Sequence, residues 1–295
     1  MILVTGATGH VGARLLARLE DDGHDVRAMA RDPDRVRRTS TRSELARGDV
    51  LDRSTLGPAL QDVETAYYLV HSLGSSGSFS DDDRRAAENF GDAAADAGVE
   101  RLVYLGGLGE GDDLSEHLAS RQEVGDILAS RVPTIEFRAS IVIGPGSLSF
   151  EMVRLLVDNV PAMVLPDWVE NVAQPIAIDD VIEYLVAALD VPVEGHRVYE
   201  IGGGDRVSYR EVLAEYARQT GKSLAAVSVP VPSLPVSIAD IPEAVTALAP
   251  ERLRSGAALV ESLRFQTAAD DDDARREFGV EPRGLAEAIA IALAE

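Results

Sequence analysis

The chain has 295 residues, no cysteine and a formal net charge of −22. These values exclude disulfides and cysteine-based zinc sites, and they argue against nucleic acid or an anionic membrane as a partner. The length suffices for a sizeable core in one large or two modest domains. No apolar run reaches the roughly 20 residues of a membrane span, and no signal peptide precedes the first predicted strand, so we expect a cytoplasmic protein.

The basic residues are almost all arginine, since Lys222 is the only lysine. Acidic residues are spread along the chain, with local runs at Asp81–Asp83 and Asp270–Asp273. Self-repulsion at this charge destabilises a fold at low salt, and molar salt screens it to a Debye length of about 3 Å. The composition therefore favours a halophilic protein over an ordinary acidic one.

Apolar strands alternate with amphipathic helices through the first half of the sequence. Strands are predicted at 1–5, 25–30, 44–48, 64–70, 100–106 and 133–138, and helices at 10–21, 53–60, 81–97 and 115–130. This alternation predicts an α/β fold in which helices cover both faces of a doubly wound parallel sheet, a Rossmann fold.

The regular alternation of predicted strands and helices ends after Gly144-Pro145-Gly146. Helices are predicted at 149–158, 179–190, 208–220, 250–263 and 284–294, and strands at 175–178 and 197–201. We expect a Rossmann domain over 1–145, with a return strand and helix at about 175–201. Residues 146–295 would form a smaller, interwoven substrate or partner lobe, and the ligand cleft would lie between it and the carboxyl edge of the sheet.

A glycine-rich turn joins the first predicted strand to the first predicted helix. Gly6 permits a tight turn, Gly9 lets the backbone approach a pyrophosphate, and Gly12 lets the helix pack closely on the sheet. The helix N-terminus then directs its free N–H groups at the phosphates. The turn predicts a dinucleotide site, and the alternative is a tight turn without a ligand. The predicted binding residues are Gly6, Thr8, Gly9, His10, Val11 and Gly12.

Arg31 ends the second strand, 19 residues after Gly12 (31 − 12). An acid at this position bonds the ribose 2′-hydroxyl of NAD, whereas an arginine accommodates the 2′-phosphate of NADP. Arg35 could assist from one helical turn further on. We therefore expect NADP(H) as the preferred cofactor, with NAD(H) possible; the alternative is that Arg31 pairs with Asp32 or Asp34.

Three residues at the ends of the next two strands complete the predicted site. Asp49 is placed to accept a hydrogen bond from the adenine amino group, and Val50 offers its backbone N–H. The alternative for Asp49 is a cap on the helix at 53–60. His71 follows the fourth strand and should lie under the ribose and nicotinamide.

Several sequence blocks together carry a family resemblance: Thr5–Gly12, Gly48–Asp52, Arg138–Pro145, Gln174–Asp180 and Val198–Gly203. They resemble the short-chain dehydrogenase/reductase superfamily in its atypical or extended branch. That branch includes the NmrA-like proteins and the accessory NAD(P)-binding subunit of respiratory complex I. The resemblance covers most of the chain and implies that Ser140 and Ile141 face the nicotinamide amide.

The sequence departs from this superfamily at the catalytic pair. Its enzymes use a Tyr and a Lys four residues later on the helix after the fifth strand, and no Tyr-x-x-x-Lys occurs here. At that place stand His117 and Arg121, on one helix face. The usual serine is replaced within Gly106-Gly107-Leu108, where Gly106 is predicted to contact the cofactor. His117 is predicted to act as a general acid or base, and Arg121 to bind ribose or pyrophosphate.

Two functions follow from this departure. The first is an oxidoreductase that moves hydride to a small or isoprenoid-like carbonyl or enone. The second is a non-catalytic protein that retains the scaffold, holds NADP(H) as a structural cofactor or redox signal, and binds a protein partner. None of the five histidines has metal-ligand spacing, so no metal site is predicted.

Overall fold

The computed structural model describes residues 1–37, 42–71, 79–109, 114–159, 162–229 and 265–295. The helix predicted at 250–263 lies outside these ranges. The strands are β1 (Ile2–Val4), β2 (Val26–Ala30), β3 (Glu44–Arg47), β4 (Thr65–Tyr68), β5 (Arg101–Gly107), β6 (Thr134–Ala139), β7 (Val142–Ile143), β8 (Ala162–Pro166), β9 (Val172–Ala173), β10 (Ile176–Ala177), β11 (His196–Ile201), β12 (Val207–Ser208) and β13 (Ala225–Val229).

The helices are α1 (His10–Asp21), α2 (Pro33–Val36), α3 (Leu56–Leu60), α4 (Phe79–Asp96), α5 (Glu116–Ala129), α6 (Leu148–Asn159), α7 (Ile178–Ala187), α8 (Tyr209–Gln219), α9 (Asp272–Phe278) and α10 (Leu285–Ala294). Short 3₁₀ turns cover Arg53–Thr55 and Asp167–Glu170. Within the described ranges, no helix combines the length and the hydropathy needed to cross a membrane.

Seven strands form one parallel sheet in the order β11-β6-β5-β4-β1-β2-β3. Ile2 pairs with Val26 of β2 on one side and with Thr65 of β4 on the other. The strand order reverses between β1 and β4, and open α/β sheets bind their ligands at the carboxyl ends of the strands at such a point. The predicted doubly wound parallel sheet is confirmed.

Both faces of the sheet are covered by helices. Along α1, Leu15, Leu16 and Leu19 are fully buried at the spacing of one helix face, where they pack with Val4 of β1 in one apolar cluster. The neighbouring Leu3 points to the opposite face, which α4 and α5 cover. Each fully buried leucine contributes about 1.5–3 kcal/mol, so these two layers hold the strand ends in place.

A third apolar cluster lies in the second half of the chain. It joins Phe150 of α6, Tyr209 and Tyr216 of α8, and Ile289 of α10. The N-terminal ends of α6 and α8 lie at the carboxyl edge of the sheet. There, Leu148 and Tyr209 line a cavity. The second half of the chain thus supplies one wall of the cleft.

Some elements differ from the sequence prediction. The fourth strand ends at Tyr68 rather than at residue 70, and the helix predicted at 53–60 divides into a 3₁₀ turn and α3. The strands β7 to β9, β12 and β13 and the helices α2 and α9 were not predicted, whereas β10 lies within the strand predicted at 175–178. Most of these strands contain only two residues, too few to show the alternation that reveals a strand.

Candidate functional site

The glycine turn after β1 leaves no room for side chains. Gly6 has φ of +63°, and a Cβ there would lie 2.5 Å from the carbonyl oxygen of Leu69. A Cβ on Gly12 would lie 2.2 Å from the carbonyl oxygen of Gly6. The N–H of Gly9 donates to that same oxygen over 2.8 Å. Glycine is therefore required at positions 6 and 12 for the turn to close.

Thr5 fastens the turn to the neighbouring strand. Its buried hydroxyl donates to the carbonyl oxygen of Tyr67 over 2.9 Å and accepts from the N–H of Leu69 over 3.0 Å. These bonds hold the ends of β1 and β4 where the strand order reverses, so the crevice has fixed walls.

Helix α1 begins at this turn without a cap. Its N-cap residue Gly9 makes no side-chain hydrogen bond, and its first turn contains no acid. The first N–H groups of a helix have no partner within it, and together they favour an anion. His10 lies beside them with a buried Nε2 that has no hydrogen-bond partner in the described residues. Burial and the charge of Arg14 lower the pKa of His10 to about 4. This neutral, uncapped terminus fits a pyrophosphate.

The first of two cavities in the cleft, of about 520 Å³, lies at the ends of β1 to β4. We call it the Arg31 cavity. The predicted residues that line it are Gly6, Thr8, Gly9, Arg31, Asp49, Val50 and His71. Arg35 also lines it.

Arg31 does not form the ion pair considered as its alternative. Asp34 pairs instead with Arg37 over 3.1 Å, and Asp32 accepts from the N–H of Asp34 as the cap of α2. Neither Arg31 nor Arg35 makes an ion pair with another described residue. Two arginines that form no ion pair with a described residue thus line the Arg31 cavity, together with Asp32, Asp49 and Asp82.

Asp49 likewise does not cap the following helical turn. Its Oδ1 accepts from the N–H of Leu51 over 3.0 Å, while its own N–H donates to the hydroxyl of Thr55. Asp52 is the cap, accepting from the N–H of Ser54 over 3.1 Å. The turn therefore presents Asp49 and Val50 to the cavity.

The second cavity, of about 290 Å³, extends from the first along the ends of β5 and β6, and we call it the His117 cavity. Gly9, Leu69 and His71 line both cavities, which therefore adjoin. The predicted residues that line it are Gly9, His10, Val11, Gly12, His71, Gly106, His117, Arg121, Ser140 and Ile141. All the predicted site residues thus meet in one cleft.

His117 and Arg121 lie one turn apart on α5. His117 is 8% exposed, and the Arg121 guanidinium donates to the carbonyl oxygen of Leu105 at the end of β5. Burial and the charge of Arg121 lower the pKa of His117 to about 3, and the same two causes lower the pKa of His71 to about 4. Both imidazoles are neutral at pH 7, which corrects the expectation that His117 titrates near neutral pH.

The lining of the His117 cavity differs in charge from the rest of the protein. The chain has 50 acidic residues, yet none of the described residues that line this cavity is Asp or Glu. Arg121 carries the one permanent charge in that described lining, and it forms no ion pair with a described residue. The cavity is therefore electropositive and suited to a negative group.

Tyr209 and Thr267 are among the residues of this cavity that were not predicted from the sequence. The Tyr209 hydroxyl lies 3.2 Å from Oγ1 of Thr267, to which the hydroxyl of Ser140 donates over 3.2 Å. These contacts join residues 58 and 127 positions apart. No local motif marks them, because only the tertiary fold brings the three segments together.

Comparisons with known proteins agree with this geometry. A sequence profile described as NAD(P)H-binding matches residues 6–132. The (4-alkanoyl-5-oxo-2,5-dihydrofuran-3-yl)methyl phosphate reductase of Streptomyces griseus subsp. griseus is 33% identical over 234 residues, which are 76% of this chain and 75% of the relative.

Two solved structures share the fold. Triphenylmethane reductase from Citrobacter sp. superposes with a TM-score of 0.79 at 17% identity, over 100% of this chain and 99% of that one. An NADPH-dependent quinone oxidoreductase from Escherichia coli, in complex with NADPH, superposes with a TM-score of 0.75 at 19% identity, over 99% and 100%. The chain belongs to the NAD(P)H-binding family of Rossmann-type proteins.

Proposed function

We propose that this protein is an NADP(H)-dependent reductase of the atypical short-chain dehydrogenase/reductase type, similar to the NmrA-like proteins, and that it reduces a small conjugated carbonyl compound. The observation that carries the proposal is the continuity of the two cavities. A cofactor that lies along the glycine turn places its two ends in an arginine-lined cavity and in an electropositive, acid-free one.

The Arg31 cavity would hold the adenosine end of NADP(H). Arg31 and Arg35 would bind the 2′-phosphate, since a guanidinium offers a planar fork of donors to a phosphate. Asp49 and Val50 would bind the adenine, and the uncapped start of α1 would bind the pyrophosphate. The residues proposed for this end are Gly6, Thr8, Gly9, His10, Val11, Gly12, Arg31, Arg35, Asp49 and Val50.

The His117 cavity would hold the nicotinamide end and the substrate. His71, Gly106, Ser140 and Ile141 would contact the nicotinamide and its ribose. When bound, NADPH supplies the hydride. We also propose that residues 1–145, with β11 and α7, form the cofactor domain and that the rest of 146–295 forms the substrate lobe.

The charges in the cavity favour a conjugated acceptor over a simple ketone. Hydride addition to a ketone creates a localised alkoxide, which needs a proton donor at once. Addition to the β-carbon of a conjugated carbonyl creates an enolate, whose spread charge a fixed cation stabilises until water supplies a proton to the α-carbon. Arg121 provides that cation but does not give up a proton. His117, with a pKa of about 3, holds no imidazolium proton to donate at neutral pH.

The Streptomyces relative supports the same substrate class by its name. That name describes reduction of an unsaturated furanone that bears a phosphate. A conjugated carbonyl with a negative group suits a cavity whose described lining has an arginine and no acid. This similarity extends over three quarters of each chain.

A second candidate is a protein that binds NADP(H) without turnover, as a regulator or an accessory subunit. The absence of a Tyr-x-x-x-Lys pair favours it. In that case the electropositive cavity would serve a signal or a protein partner instead of a reaction.

Turnover on matched pairs of compounds separates these possibilities. The protein, in molar KCl, is first titrated with NADPH and NADH by nicotinamide fluorescence. NADPH consumption is then followed with 2-cyclohexen-1-one and 2(5H)-furanone, and with their saturated counterparts cyclohexanone and γ-butyrolactone. We expect tighter binding of NADPH and consumption only with the unsaturated compounds. Equal rates with the saturated partners would contradict the substrate class, and tight binding without turnover would favour the second candidate.

A further inference from the structure

Three buried hydroxyl groups form a continuous chain on one wall of the His117 cavity. Ser140, Thr267 and Tyr209 are 7%, 8% and 6% exposed, and all three line the cavity. Ser140 Oγ donates to Thr267 Oγ1 over 3.2 Å, and Thr267 Oγ1 lies 3.2 Å from the Tyr209 hydroxyl. The backbone N–H of Gln174 donates to Ser140 Oγ over 3.3 Å and begins the chain.

The three linked hydroxyl groups have one more proton than the hydrogen bonds between them require. Each hydroxyl carries one proton, and the two links between the three oxygens use two of the three protons. No further hydrogen bond of these hydroxyls is formed with the described residues. Ser140 accepts from Gln174 and donates to Thr267. Either hydroxyl can be the donor in the contact between Thr267 and Tyr209. When Thr267 donates, the bonds align and the Tyr209 proton remains for a ligand; when Tyr209 donates, the Thr267 proton remains. Hydrogen bonds aligned in this way polarise one another and strengthen the last donor.

The surroundings of Tyr209 keep its phenol protonated beside the cavity. Burial raises the pKa of Tyr209, so the phenol stays protonated at neutral pH. No Asp or Glu among the described lining residues is present to accept the proton. An unused donor nine-tenths buried costs free energy, which a ligand oxygen would recover.

We propose that Tyr209, supported by Thr267 and Ser140, binds the oxygen atom of the substrate and the negative charge that develops on it. The inference deepens the proposed function and rests on the His117 cavity being its reacting end. It assigns the substrate class as small molecules whose oxygen becomes an enolate or phenolate. It also places the hydrogen-bond donor on the substrate lobe, on α8, whereas the superfamily's tyrosine follows the fifth strand.

The binding of 4-nitrophenol tests this inference without turnover, because its phenolate oxygen carries a delocalised negative charge as an enolate does. Binding is followed by the absorbance of the phenolate, with and without NADP⁺. We expect the wild type to bind it and Tyr209→Phe to bind at least about tenfold more weakly, the usual loss when a charged oxygen loses a donor. Thr267→Val, which keeps the shape of the side chain and removes the hydroxyl, should weaken binding to a smaller degree.

Tyr216→Phe is the matched control. Tyr216 lies on the same helix, is 3% exposed and donates to Asp158, and it is not part of the cavity lining. This variant should bind 4-nitrophenol as the wild type does. Urea unfolding of all three variants establishes that each is folded under the binding conditions.

The outcomes separate this inference from the proposed function. Unchanged binding by both Tyr209→Phe and Thr267→Val, equal weakening by Tyr216→Phe, or no binding by the wild type would each overturn it. If 4-nitrophenol binding depends on Tyr209 while NADPH is not consumed with any conjugated carbonyl, the oxygen-binding role is supported and the reductase proposal fails.

Discussion

Tyr104, which is fully buried, contacts Arg121 of the His117 cavity twice. The Tyr104 hydroxyl donates to the backbone carbonyl of Arg121 over 2.9 Å, and the Arg121 guanidinium lies over the Tyr104 ring, with Cζ 5.0 Å from the centroid. A cation–π contact of this kind keeps a charge in place without neutralising it. The cavity is therefore ready for an anion before any ligand arrives.

Replacing Arg121 should change both the acidity of its neighbours and turnover. The charge of Arg121 lowers the pKa of His117 and His71, so Arg121→Gln should raise both pKa values. Burial, the larger cause, should keep the pKa of His117 below 6.5. Loss of a charge-stabilising donor should also lower turnover of 2(5H)-furanone about 100-fold. NMR titration and NADPH consumption measure these effects, and Arg218→Gln, at an exposed ion pair on α8, is the control. An unchanged pKa of His117 would refute the coupling.

The stability of the fold should fall as the pH is lowered from 6.5 towards about 4. The pKa values of His10 and His117 are about 4 and 3 in the fold against an ordinary 6.5, so in this window the unfolded chain binds more protons. Each histidine then removes up to about 1.4 kcal/mol per pH unit. Urea unfolding at several pH values should show a shallower slope for His117→Gln than for the wild type. The exposed His24→Gln should keep the wild-type slope, and a pH-independent free energy of unfolding would contradict the prediction.

The two arginines of the Arg31 cavity should determine which cofactor is preferred. Arg31→Ala and Arg35→Ala should each weaken NADPH roughly 10- to 100-fold, since a charged hydrogen bond contributes about 1.5–3 kcal/mol. The affinity for NADH should change little. Fluorescence titration measures both, with Arg18→Ala, at an exposed ion pair with Asp22, as a control of equal charge. Equal losses for NADPH and NADH would remove Arg31 and Arg35 from the 2′-phosphate site.

Gly12 should tolerate no larger residue. A Cβ at this position would overlap the Gly6 carbonyl, so Gly12→Ala should destabilise the fold by about 1–3 kcal/mol and abolish NADPH binding. Gly57→Ala is the control, because a Cβ on Gly57 would meet nothing within 4 Å. Urea unfolding and fluorescence titration compare the two variants. Wild-type affinity in Gly12→Ala would show that the turn can open.

Salt should stabilise the protein if the charge reflects a halophilic origin. A net charge of −22 repels itself, and molar KCl shortens the Debye length to about 3 Å. The thermal unfolding midpoint should therefore rise steadily from low to molar KCl. A midpoint that is flat or falls with KCl would leave the chain an ordinary acidic protein.

Features that depend on near neighbours were predictable from the sequence. The glycine turn, the strand–helix alternation and the position of Arg31 each follow from spacing within about 30 residues. The protonation of His117 was not predictable, because burial and the approach of a cation are tertiary properties. The hydroxyl chain was not predictable for a similar reason, since Ser140, Tyr209 and Thr267 come from three distant segments, and of the three only Ser140 lies in a block that carries the family resemblance.

The residues that line the two cavities come from different ranges of the sequence. The described lining of the Arg31 cavity ends at Asp82, whereas that of the His117 cavity extends from Gly9 to Thr267. Under the proposed function, substitutions at Arg31 and Arg35, which line only the first cavity, would alter the preferred coenzyme and leave the lining of the second cavity unchanged. Substitutions at Tyr209 and Thr267, which line only the second cavity, would in turn alter the proposed substrate and leave the coenzyme site unchanged. Such independence gives one scaffold two separate routes of evolution.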